Sequence, residues 1–139
     1  MKRLAYWVLA AMVLFSCVSI ALPTKAAEET TISIMRYSLV KSSLASLTIN
    51  GKQASCSGLI RANDSSASVS VTATLQKKSG SAWAFVDSWS STGLSGAAGI
   101  TASGTKTLSS GTYRVKLSGT VTINGSSESV TAYSAEKTY

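Results

Sequence analysis

The chain contains no histidine, and this absence removes much of ordinary enzyme chemistry. Histidine is the commonest general base near neutral pH, the usual partner of a nucleophilic serine, and the commonest metal-binding side chain. Asp and Glu together number only six, and their spacing suggests no facing pair of the kind that a glycosidase needs. We therefore expect a protein that is not an enzyme and has no cofactor and no metal site.

Cysteine and proline are also scarce, with two residues and one residue respectively. Cys17 lies in an N-terminal apolar segment that we expect to be removed, which leaves Cys56 alone and excludes an internal disulfide. The neighbours of Cys56 are small and uncharged, so nothing nearby would activate a thiolate. The sequence predicts a buried structural cysteine at this position, with a reactive thiol or a bridge to a second chain as the alternatives.

The N-terminus has the pattern of a secretory signal peptide. Two basic residues precede an apolar run from Leu4 to Leu22, and small residues follow at the positions that signal peptidase reads. We predict a signal peptide over residues 1–26, with cleavage after Ala26 or alternatively after Ala27. The expected location of the protein is therefore secreted, outside the cell.

The same segment has two other interpretations. An uncleaved anchor is one, because an apolar run of this length approaches the roughly 30 Å thickness of the hydrocarbon core. A lipoprotein signal ending at Cys17 is the other, although Phe15 is bulky for its position in such a signal. No second apolar stretch and no wall-sorting motif follows, so we expect no membrane span in the mature chain.

Beyond this segment the sequence alternates between apolar and polar residues in short runs separated by Gly, Asn and Ser, as antiparallel strands do. Asn124 and Gly125 join the last two runs and suit a two-residue hairpin turn. Asn50–Gly51 and Ser79–Gly80 are predicted to turn the chain in the same way. The predicted inward residues are Ala54, Cys56, Gly58, Ile60, Ala62, Val69, Val71, Ala73, Leu75, Ile100, Ala102, Gly104, Tyr113, Val115, Leu117, Gly119, Val121 and Ile123.

The run Ser110–Val115 resembles the tyrosine corner of immunoglobulin-like domains. Cys56 and Val115 would then take the two positions of the inter-sheet disulfide, and Val69 or Val71 would replace the usual core tryptophan. The sequence thus predicts an all-β fold, an immunoglobulin-like antiparallel β-sandwich of about seven strands. The expected domain organisation is a signal peptide over 1–26, an N-terminal segment with at most one extra strand over 27–43, and the sandwich over 44–139.

An aromatic cluster provides the candidate ligand site. Alternation would place Trp83, Phe85 and Trp89 on one side of a strand, where they form either part of the core or an exposed platform for sugar rings or a partner. A β-bulge would divide the set. Lys77 and Lys78 lie at the end of the preceding strand, either as a basic rim suited to an anionic glycan or as solvated turn lysines.

Charge gives a weaker indication of the partner. The net charge of +7 includes three basic residues of the predicted signal peptide, so the exported part is mildly basic. Such a balance is too small for a nucleic-acid-binding face, and we expect no nucleic acid as a partner. It is compatible with an anionic cell-envelope surface.

Several stretches together resemble a family of small secreted β-rich proteins of unknown function from Clostridia and related Gram-positive bacteria. They are the signal peptide, the turn Leu75–Gly80 followed by Trp83 and Trp89, the run Ser110–Val115, and the closing Lys137–Tyr139. The resemblance implies an exported β-sandwich and identifies no functional residue.

Two functional hypotheses follow. The first is a non-catalytic extracellular binding or surface-interaction module, with a glycan or cell-wall polymer as the ligand. The second is a structural or self-assembling surface protein whose edge strands pair between copies. The oligomeric state is left open.

Overall fold

The computed structural model describes residues 37–139. The predicted signal peptide, its cleavage at Ala26 or Ala27, and residues 27–36 of the predicted N-terminal segment lie outside the described residues. Within them the chain forms eight strands and no helix. The strands are β1 (Val40–Asn50), β2 (Gln53–Ala62), β3 (Ser68–Ser79), β4 (Ala82–Leu94), β5 (Ile100–Thr107), β6 (Thr112–Ile123), β7 (Ser126–Tyr133) and β8 (Lys137–Thr138).

The strands form two antiparallel sheets whose apolar faces pack together. One sheet has the order β1-β2-β5, and the other has the order β4-β3-β6-β7, with the short β8 also paired to β6. The two sheets interlock: Leu117 of the larger sheet lies over Gly58 of the smaller one, at a position that a side chain would occupy. The predicted all-β antiparallel class with about seven strands is confirmed, and β1 begins at Val40 rather than at residue 44.

Three two-residue turns join neighbouring strands. Asn124 and Gly125 both have positive φ, +49° and +80°, as a type I′ turn requires. Gly51 and Gly80 have φ of +56° and +61° and occupy the first central position of their turns, as in type II′. These two turns lie one residue later than predicted, because each glycine begins its turn.

The inward residues predicted from alternation form one core shared by both sheets. Val69, Val71, Ala73 and Leu75 of β3 are fully buried, and Cys56 is buried on β2. Burial of a Val or Leu side chain contributes roughly 1.5–3 kcal/mol, so this shared interior is the main source of stability. The register that buries these residues also fixes which side chains cover the outer faces.

Two polar contacts fix the ends of strands. The Tyr113 hydroxyl, buried at the start of β6, donates a hydrogen bond to the Ser109 carbonyl oxygen at 2.7 Å. The Glu128 carboxylate of β7 accepts hydrogen bonds from the backbone N–H groups of Ser38 and Leu39, at 3.0 and 2.8 Å. Desolvation, the largest single influence, raises the pKa of Glu128, but the hydrogen bonds from residues 38–40 together outweigh it and lower the pKa.

Candidate functional site

A β-bulge in β4 determines which aromatic side chains reach the surface. Leu75 of β3 pairs with Asp87 and the next residue, Gln76, pairs with Phe85, so Val86 has no partner. An extra residue of this kind reverses the alternation of side chains on either side of it. Phe85 consequently lies on the outer face with Gln76, whereas Asp87 lies on the inner face with Leu75.

The bulge divides the predicted aromatic platform. Trp83 and Phe85 lie on the outer face, but Trp89 pairs with the buried Ala73 and packs against the core. Its indole ring lies directly on Gly104 of β5, where any Cβ would overlap three ring atoms. Trp89 is therefore part of the interior of the sandwich and does not belong to the platform.

Lys77 and Lys78 are separated in the same way, because they are consecutive residues of one strand. The Lys77 amino group lies on the inner side, 5.7 Å from the centre of the Tyr113 ring and 3.0 Å from Ser109 Oγ. Lys78 lies on the outer side, where its amino group is 5.7 Å from the centre of the Trp83 ring. Of these two lysines, only Lys78 can line a site on the outer face.

The outer face brings Arg114 between two aromatic rings. Its guanidinium carbon lies 4.1 Å from the centre of the Trp83 ring and 4.3 Å from that of Tyr133. Arg114 Nε also donates a hydrogen bond to Gln76 Oε1 at 2.9 Å. Cation–π contacts of this kind contribute roughly 0.5–1 kcal/mol each at exposed sites. The three stacked side chains belong to β4, β6 and β7, so the stack joins β4 to a hairpin that lies far from it in sequence.

Exposed groups lie both in this stack and around it. Phe85 is 68% exposed and Tyr133 is 51% exposed. Lys116 follows on the same face of β6, next to Tyr133 in the register. Lys78 lies 3.6 Å from Glu136, with both side chains about half exposed, a pair that adds little stability. We define the binding face as Trp83, Phe85, Arg114 and Tyr133 with Gln76, Lys78 and Lys116 around them.

The rest of the same outer surface is covered by hydroxyl groups. The register places Ser90, Thr72, Ser118 and Thr131 in one row across four strands, and Thr92, Ser70, Thr120 and Ser129 in the next. Neighbouring hydroxyls bond to each other, as Thr72 Oγ1 and Ser90 Oγ do at 2.9 Å. These rows extend the binding face with uncharged hydrogen-bonding groups.

The three-stranded sheet carries a shallow groove of about 330 Å³ on its own outer side. Hydroxyl residues on all three strands line most of it. The lining residues are Ser46, Thr48, Ser55, Cys56, Ser57, Ser103, Gly104 and Thr105. The groove has no charged lining residue and no aromatic one, so it offers neither catalytic groups nor a stacking surface.

Cys56 is buried, as its place in the alternation predicted. Burial, assisted by the negative charge of Asp87, raises the pKa of the thiol to about 11. The thiolate is the reactive form, so near neutral pH this cysteine is held in the unreactive thiol form. No group of three or more His, Cys, Asp or Glu side chains suited to a metal ion occurs in the part of the chain that the structure describes.

The strand edges carry features that discourage pairing with another chain. β4 is interrupted by the bulge at Val86, and the register of β1 shifts between Val40 and Ser42. Asp87 Oδ2 of β4 and Lys106 Nζ of β5 lie 3.1 Å apart, and both strands are sheet edges. The hydrogen bond from Lys106 lowers the pKa of Asp87, and a second hydrogen bond from the Ser88 N–H lowers it further. Bulges and inward-pointing charges are recognised means of protecting sheet edges. Edge-strand self-assembly stays a prediction, and these features argue against β4 as its site.

Comparison with protein-family models, with curated proteins and with solved structures found no match to the chain. Between residues 37 and 139 there is no helix with the length and apolarity needed to cross a membrane. The assignment of a function therefore depends on the geometry of the binding face.

Sequence reasoning placed Trp83, Phe85 and Lys78 near one another but missed Arg114, Tyr133 and Gln76. Alternation does put Arg114 on the outer face, opposite the inward Tyr113 and Val115. Its approach to Tyr133 follows from the predicted hairpin of β6 and β7, whereas its approach to Trp83 depends on β6 lying beside β3. The pairing of β3 with β6 could not be read from the sequence.

Proposed function

We propose that the protein is a secreted, non-catalytic module that binds a glycan or cell-envelope polymer on the binding face. The export part of the proposal rests on the N-terminal sequence pattern, with basic residues, an apolar run and small residues before Ala27. The binding part rests on the stack of Trp83, Arg114 and Tyr133 with the exposed Phe85 beside it.

We further propose that the sandwich is immunoglobulin-like. Its first, second and fifth strands share one sheet, and its third, sixth and seventh share the other with the fourth at the edge, an arrangement that agrees with this class of fold. The hydrogen bond from Tyr113 to the Ser109 carbonyl has the form of a tyrosine corner. Cys56 and Val115, which we assign to the positions of the inter-sheet disulfide, are both buried.

The chemistry of the face suits a sugar polymer. A single exposed apolar residue on a protein surface needs no explanation, but here three aromatic rings and three basic groups form one patch on adjacent strands. Aromatic rings stack against the apolar face of a sugar, while Arg, Lys and hydroxyl groups bond to its oxygens. The observation that carries the proposal is the exposed ring of Phe85, two residues from Trp83 on the same face, in one row with an arginine that two rings and Gln76 hold in place.

The experiment compares two substitutions on one face of one strand. Phe85 and Leu94 lie on the outer face of β4 and are 68% and 66% exposed, but only Phe85 adjoins the arginine stack. In co-sedimentation with purified Gram-positive cell wall and in affinity gels with polysaccharides, we expect Phe85→Ala to weaken binding about 3- to 10-fold. Leu94→Ala should bind as the original protein does.

Trp83→Ala should weaken binding further, because it also frees Arg114 from its stack. Circular dichroism and thermal unfolding of each variant will show that the fold is kept. Full binding by folded Phe85→Ala and Trp83→Ala proteins would refute the proposed site.

A further inference from the structure

We infer that the polymer is acidic, and that Arg114 and Lys116 receive a carboxylate carried on its sugar rings. This inference rests on the proposed function and specifies the ligand class of the same face. It depends on the state of the Arg114 side chain, on the local charge, and on the position of Phe85.

Arg114 is held ready for an oxyanion. Its guanidinium carbon lies over both the Trp83 and the Tyr133 rings, and Gln76 accepts the hydrogen bond from Nε. The remaining donors lie at the edge of the guanidinium plane and have no acceptor among residues 37–139. That edge matches a carboxylate in a two-pronged geometry. Since the side chain is already ordered, little further conformational entropy is lost on binding.

The local charge favours an anion. Lys116 lies two residues along β6 on the same face, about 7 Å from Arg114 along the strand. Neither side chain has an ion-pair partner within the described part of the chain. The nearby carboxylate of Glu136 lies 3.6 Å from Lys78 instead. Two uncompensated positive charges therefore lie side by side on the face.

Phe85 distinguishes a sugar carboxylate from a phosphate on a flexible polyol. Phe85 shares a row with Gln76 and Arg114, and the two outer members are about 10 Å apart, two strand spacings. A polysaccharide crossing the strands would place one ring on Phe85 while a neighbouring unit presents its carboxylate to Arg114. A polyol phosphate chain has no ring to stack on Phe85, and a phosphate is not planar. The combination fits a polymer of uronic acids.

The probe is polygalacturonate, and its matched control is the same polymer with its carboxyl groups converted to methyl esters. Affinity is measured by titration at low and at moderate salt. We expect the acid form to bind at least 10-fold more tightly than the ester, and we expect added salt to weaken the binding of the acid form only. A poly(glycerol phosphate) probe should bind less tightly than polygalacturonate.

Three variants localise the effect. Arg114→Gln should reduce the affinity for polygalacturonate at least 10-fold, and Arg114→Lys, which keeps the charge but loses the planar edge, should reduce it several-fold. Lys52→Gln removes one positive charge from the turn between β1 and β2 and should change the affinity less than 2-fold. Thermal unfolding checks that each variant is folded.

The outcomes separate the two levels of the proposal. Equal binding of acid and ester forms, still dependent on Phe85, would overturn the acidic ligand and leave the glycan-binding function standing. Tighter binding of poly(glycerol phosphate) would overturn the sugar carboxylate. An equal loss in Lys52→Gln and Arg114→Gln would show diffuse attraction and overturn the assignment to Arg114. Failure to bind either form of the polysaccharide, or cell wall, would overturn both levels.

Discussion

A single methyl group on Gly104 tests whether Trp89 belongs to the core or to the ligand site. In Gly104→Ala, the new Cβ would overlap Nε1, Cε2 and Cδ1 of the Trp89 indole. Non-bonded carbon atoms need roughly 3.5–4.0 Å, so the ring would have to withdraw by more than about 1 Å. The indole packs against the core on its other side, and overpacking of this kind costs about 1–3 kcal/mol of unfolding free energy.

Urea unfolding, followed by circular dichroism and by tryptophan fluorescence, measures this cost. With a slope of about 1–3 kcal/mol per molar urea for a domain of this size, the midpoint should fall by roughly 1 M. The fluorescence of the folded variant should shift to longer wavelength, because Trp89 becomes more exposed. The control is Ser103→Ala, one residue away on the exposed outer side of β5, where we expect a change within about 0.5 kcal/mol.

A double variant checks that the cost arises from this pair of residues. If the indole is what the new methyl meets, Gly104→Ala should cost much less in a Trp89→Leu background than in the original chain. Additive effects, or a Gly104→Ala protein as stable as the original, would mean that Trp89 does not lie on β5. The assignment of Trp83 and Phe85 to the outer face and of Trp89 to the core, on either side of the bulge at Val86, would then be wrong.

Three further predictions concern individual polar groups. The pKa of Cys56 is raised from 9.0 to about 11 in the folded protein, so the unfolded chain loses its thiol proton first as pH rises. Stability should therefore fall as pH rises from about 9 to about 11. A Cys56→Ala variant should lack this part of the fall. Glu128 has a lowered pKa, so its contribution to stability is present above the unfolded value of 4.5 and is lost as pH falls through the folded value. Glu128→Gln should lower the melting temperature at pH 7 and speed amide exchange at Ser38 and Leu39. Tyr113→Phe leaves the Ser109 carbonyl without its hydrogen bond and should cost about 1–2 kcal/mol in urea unfolding; no loss would contradict a structural role for the hydroxyl.

The strands and their inward faces could be predicted because one physical pattern decides both. Along β6, Tyr113, Val115 and Leu117 are buried and the residues between them are more exposed, as a strand with one apolar face requires. Asn124 and Gly125 could be assigned to a turn because few other pairs accept positive φ twice. These features depend on residues adjacent in sequence.

The binding face could be predicted only in part because it depends on contacts between distant strands. Trp83 and Trp89 are an even number of residues apart, so alternation alone puts them on the same side. The bulge at Val86 separates them, and the packing of Trp89 on Gly104 together with the Asp87–Lys106 pair agrees with that separation. Gly104 and Lys106 lie on β5, far in sequence from Trp89 and Asp87 of β4, so no local pattern indicates these contacts.

The bulge at Val86 bears on both functional hypotheses at once. It turns Phe85 and Trp83 to the outer face, where a ligand can reach them, and it interrupts the free edge of β4, where another chain would have to pair. If the edge were open, the exposed aromatic rings beside it would promote association between copies. With the edge interrupted, we expect the protein to remain monomeric in sedimentation equilibrium at high concentration and to bind polymer as a monomer. Concentration-dependent dimers that dissociate in the Phe85→Ala variant would instead assign the binding face to self-association.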